Sequence, residues 1–106
     1  MKFMQLSGVM KWIYKPNGQC PVQAEGWFFG YYFYFRSRWS ASTIEFSKSE
    51  QDWKDIKIIK YYILYQTSDP YSAGWITNKK ALQLIYKGFL FFSMYLLKIK
   101  LKKLCK

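Results

Sequence analysis

The chain has 106 residues, 51% of them hydrophobic and 23% aromatic, and a net charge of +11 from fifteen lysines and two arginines against six acids. That length holds one domain, and that apolar content sets the chain apart from intrinsically disordered sequences. With no histidine, two distant cysteines (Cys20 and Cys105) and no P-loop, GxGxxG or HExxH run, it offers no Ser-His or Cys-His pair and no zinc ligand set.

A first strand is expected over 9–14, followed by a turn at Lys15-Pro16-Asn17-Gly18, where proline presets one corner residue and Asn-Gly tolerates positive φ. A return strand follows over 21–28. Gly30 marks the next reversal, and 31–39 is a third strand. Ser40-Ala41-Ser42 interrupts, and 43–47 is a fourth. A turn centred on Ser40 and Ala41 sets Phe35 opposite Phe46 and Arg36 opposite Glu45, an apolar pair and a charge pair from one register.

Ser49 followed by Glu50, Gln51 and Asp52 has the composition of a helix start, so a short helix or turn is expected around Trp53. The β-branched and aromatic run 56–66 reads as a fifth strand, ended by Ser68-Asp69-Pro70. Thr77 or Asn78 caps a helix that runs to Lys87, with Gly88 as its stop. Leu82, Ile85 and Tyr86 are its inward side chains, packed against Phe33, Phe35, Ile44 and Phe46.

The fold class expected is α+β: a mainly antiparallel meander sheet of four to five strands with one C-terminal-half helix on a face. Residues 1–97 form the domain and 98–106 a lysine-rich tail, with Lys98, Lys100, Lys102, Lys103 and Lys106. Residues 88–97 carry no charge. That run is shorter than the roughly 17 to 25 residues of a membrane span, so it reads as a buried last element or as an interfacial helix with a basic flank.

Nine of the fourteen residues from 27 to 40 are aromatic, and the stretch ends in the chain's only arginines. On a strand, Tyr32, Tyr34, Arg36 and Arg38 share one face. Rings beside fixed cations suit stacked bases and phosphates, and also suit a sheet face latched by ion pairs. The net charge favours nucleic acid, an acidic protein surface or an anionic membrane, and it also keeps an aromatic-rich chain soluble.

The expected function is noncatalytic binding of nucleic acid, or of a nucleic-acid-bound complex, through Tyr32, Tyr34, Arg36 and Arg38 with Lys48. One alternative is a protein-binding inhibitor or accessory factor of phage or plasmid origin, using exposed Trp27, Trp53 and Trp75. The other is a peripheral membrane protein attached through 89–106. No cofactor, metal or small-molecule substrate is expected. The N-terminal residues lack a long apolar stretch, and a cytoplasmic location is expected, with peripheral membrane attachment as the alternative.

Overall fold

Alternating apolar residues in five successive segments come together as one antiparallel sheet with a single buried face. The computed structural model describes residues 10–18, 21–69, 73 and 76–104; Cys20, Trp75, Cys105 and Lys106 lie outside the described residues. In chain order the elements are β1 (Met10–Asn17), β2 (Val22–Phe28), β3 (Tyr31–Arg38), β4 (Ala41–Ser47), α1 (Glu50–Lys54), β5 (Lys60–Gln66) and α2 (Asn78–Leu104). The sheet order follows the chain from β1 to β5. This is the expected α+β meander with a C-terminal helix on one face, built as one small aromatic-rich domain.

Val22, Ala24 and Phe28 of β2, Phe33 and Phe35 of β3, Ile44 and Phe46 of β4 and Leu64 of β5 form the inner face. α2 crosses it and adds Ala81, Leu84, Ile85, Phe89 and Phe92 to the same core. Two ring stacks fasten the helix to the sheet, Phe89 on Phe28 and Phe92 on Phe46, each at 4.1 Å between centroids. Such pairs add about 0.5–1.5 kcal/mol each beyond the area they bury. Of the three side chains expected to point inward, Ile85 does, Leu82 is half-buried and Tyr86 is exposed.

Thr77 caps α2: its Oγ1 accepts the Lys80 N–H at 3.0 Å. Gly88 does not end the helix. It sits inside α2, where a Cβ would lie 2.8 Å from Ile44 Cγ2, so its bare Cα is what lets helix and sheet approach. With the stop removed, α2 continues through Leu104 and takes Lys98 to Lys103 with it as helical residues rather than a tail.

The corners depart from expectation where tertiary pairing outweighs turn composition. β1 continues through Pro16 and Asn17, and a register shift between Tyr14 and Asn17 absorbs the proline on this edge strand. The β3–β4 corner is Trp39-Ser40, so Phe35 faces Ile44, Phe33 faces Phe46, Arg36 faces Thr43 and Tyr34 faces Glu45. The expected register was two residues out, which preserves every face assignment.

β5 begins at Lys60 rather than at 56 because α1 ends in a left-handed residue. Ser49 Oγ accepts the Asp52 N–H at the start of α1. At its end the Lys57 N–H reaches the Asp52 carbonyl at 2.8 Å and the Ile56 N–H the Trp53 carbonyl at 3.1 Å, a Schellman pair. Ile56 holds φ at +61° and is 85% exposed. A β-branched residue there is strained and buries almost nothing. Ile56→Gly is therefore expected to raise stability by about 1 kcal/mol, read as a higher denaturant midpoint. An unchanged or lower midpoint would contradict this corner.

Candidate functional site

Alternation places Tyr32, Tyr34, Arg36 and Arg38 on the sheet face turned away from α2, as expected. The tyrosines do not form an open platform there. Tyr32 is buried, its hydroxyl donates to Glu25 Oε1 at 2.8 Å, and Trp27 packs edge-on against it at 5.7 Å. The Tyr34 hydroxyl donates to Gln23 Oε1 at 2.6 Å. α1 then folds Trp53 over both rings, 5.7 Å from Tyr32 and 4.8 Å from Tyr34, where its Nε1 donates to Glu45 Oε1 at 2.7 Å. Trp27 and Trp53 are accordingly half-buried packing groups. Lys48 is exposed just beyond Ser47, which pairs with Tyr32, so it lies at the far end of β4 from Arg38, which pairs with Ala41.

These hydroxyls are held protonated. Burial first, then the neighbouring Glu25 carboxylate, pushes Tyr14 and Tyr32 well above the ordinary tyrosine value of about 10. Burial raises Tyr34 and Tyr62 as well. A raised folded value means that the unfolded chain loses its protons first, so stability is intact below pH ~10 and falls as pH rises past it. Tyrosinate absorbance is expected to lag behind free tyrosine and then rise together with loss of structure. Smooth titration of all ten tyrosines near pH ~10 in a folded protein would contradict this.

What remains open on this face is a cavity of about 340 Å³ over the β3–β4 corner. Arg36 and Arg38 line it beside Tyr34, and Trp39, Trp53 and Tyr61 supply rings around the small side chains of Ala41 and Thr43. Arg38 lies 5.0 Å from the centre of the Trp39 ring. The structure thus brings Tyr34, Arg36, Arg38 and Trp53 together and leaves Tyr32, Trp27 and Lys48 out. Trp39, expected only as one of several tryptophans too many for a small core to hide, and Tyr61 are additions to the expected site residues. Tyr61 was hidden by its distance in sequence, whereas Trp39 was visible as the ring next to Arg38.

A second surface lies on the opposite side of the molecule. Leu90, Met94, Leu97, Leu101 and Leu104 are all at least half exposed, and their spacing of four, three, four and three residues puts them in one stripe along α2. That stripe is opposite the buried Gly88, Phe92 and Ala81. Phe29, exposed at the β2–β3 corner, adjoins it across a shallow apolar groove with Leu96, Leu97 and Lys100. α2 carries seven lysines and no acid. Of the six acids, Glu25 and Glu45 are on the outer sheet face, Glu50, Asp52 and Asp55 belong to α1 and its cap, and Asp69 follows β5. The seven lysines of α2 thus have no acid on their own helix. The 4-3-4-3 spacing was readable in the sequence, but it was obscured by dividing 88–106 into an apolar run and a tail.

By length and composition alone α2 could cross a membrane, yet its inner side chains are committed to the sheet. No family model, curated protein or solved structure matches this chain.

Proposed function

We propose that this protein is a noncatalytic peripheral membrane binder that lays the outer face of α2 on an anionic lipid surface. The observation that carries the reading is the exposed stripe of Leu90, Met94, Leu97, Leu101 and Leu104 on a helix with seven lysines and no acid. An amphipathic helix of this kind sinks its apolar face about 5–10 Å into the headgroup and acyl boundary, while flanking lysines contribute about 1 kcal/mol each near anionic lipid. Lys87 and Lys98 lie along one side of the stripe and Lys100 along the other. Pairing with a second copy through the same stripe would set lysine against lysine with no acid to complement them. The outer sheet face, which holds Glu25 and Glu45 and adjoins the acids of α1, suits such a surface less well.

The test is cosedimentation of the intact chain with phosphatidylcholine vesicles, with and without phosphatidylserine. Binding is expected to need phosphatidylserine and to weaken as salt screens the lysines. Equal recovery in the supernatant with both vesicle types would overturn the reading.

A further inference from the structure

The cavity on the outer sheet face is independent of the α2 surface and faces the other way, so both are open at once. We infer that it binds a phosphate joined to a flat heteroaromatic ring, the unit shared by a free nucleotide and a single-stranded nucleic acid. The chain has only two arginines, and both line this one cavity. As i and i+2 residues of β3 they extend from the same face, and both are exposed. Among the described residues neither has a carboxylate at ion-pair distance. Glu45, the acid in the cavity wall, accepts the Trp53 indole N–H. A guanidinium offers a planar fork of donors that matches phosphate oxygens in pairs, which a lysine does not.

The rings supply the second half of the site. Trp39 and Tyr61 are each about half exposed although both are large and apolar. Trp39 occupies the corner with φ at +59°, a backbone conformation that glycine or asparagine adopts at less cost. With about half of its surface exposed and Arg38 beside its ring, Trp39 presents ring surface to the cavity on which a flat ring can stack. Ala41 and Thr43 pair with Arg38 and Arg36 across the strands, and their small side chains leave the floor open between the rings. At about 340 Å³ the cavity is at the lower end of small-ligand sites, which run from about 300 to 1,000 Å³. A base paired within a duplex would not present its ring face to Trp39 or Tyr61, so a flexible strand or a free nucleotide fits and a double helix does not.

The test is fluorescence anisotropy of a labelled single-stranded oligouridine with the intact protein, competed by uridine monophosphate and, separately, by inorganic phosphate. Three variants are compared: Arg36→Gln with Arg38→Gln, Lys98→Gln with Lys100→Gln, and Trp39→Gly. The two double variants have the same net charge. The arginine variant is expected to lose at least about tenfold more affinity than the lysine variant. Trp39→Gly is expected to lose about tenfold while keeping the native circular-dichroism spectrum, since glycine accepts the backbone conformation of the corner. Strong competition by uridine monophosphate assigns the site to free nucleotide. Oligouridine binding that the monophosphate does not displace assigns it to a strand. Equal losses in the two double variants, no binding at all, or inorganic phosphate competing as well as the nucleotide would each overturn the inference.

Discussion

Replacing Leu97 and Leu101 together with glutamine is expected to weaken binding to phosphatidylserine-containing vesicles by about 10- to 150-fold. Complete burial of a leucine is worth about 1.5–3 kcal/mol, and these two are already about half covered by the protein. Lipid would supply the other half, about 1.5–3 kcal/mol for the pair. Glutamine and leucine have similar helix propensity, so α2 is retained. Neither leucine belongs to the core, so the denaturant midpoint should move by no more than about 0.5 kcal/mol. Unchanged vesicle binding would remove the stripe from the mechanism. A large fall in stability would mean that these leucines are packed against something in solution.

Phe92→Ala is expected to destabilise the protein by about 3–5 kcal/mol, whereas Leu90→Ala should change stability by no more than about 0.5 kcal/mol. Phe92 is fully buried and stacks on Phe46, with Tyr31 edge-on at 5.1 Å, while Leu90, two residues earlier, points away from the sheet. Small domains hold about 5–15 kcal/mol in all, so the first change removes a large part of the total. Urea midpoints of the two variants measure the asymmetry directly. A helix that left the sheet to span a bilayer would show no such difference, and equal midpoints would contradict the packing of α2.

The contrast between those two residues shows how much was legible in advance. Period-two alternation through 33–46 placed Phe33, Phe35, Ile44 and Phe46 on one face, because that pattern needs no knowledge of partners, whereas Val22 and Ala24 of β2 joined that face only in the structure. Register was less legible. A slip of two residues keeps every face, so alternation alone could not choose between Phe46 and Ile44 as the partner of Phe35. The choice required a tryptophan to accept positive φ at the corner, against local preference.

Gly88 was misread for a similar reason. Beside Lys87 it looks like a helix stop, and only the position of Ile44 in space explains a glycine within the helix. Tyr32 was put on the correct face but judged open to ligand. Its cover is Trp53, delivered by a five-residue helix more than twenty positions later, and the Glu25 that accepts its hydroxyl comes from the neighbouring strand. The two arginines, by contrast, were placed on the outer face by alternation alone, and both are exposed there.

Membrane binding by this route requires α2 to present one face to the sheet and the other to lipid. The direct measurement replaces the native thiols (Cys20→Ser, Cys105→Ser) and attaches an environment-sensitive fluorophore through Leu97→Cys or, separately, through Gln51→Cys on exposed α1. With phosphatidylserine vesicles the emission from position 97 should shift to shorter wavelength and return when salt is raised, while position 51 stays as in water. Bound protein in which position 97 remains water-exposed, or in which position 51 shifts instead, would contradict the central claim.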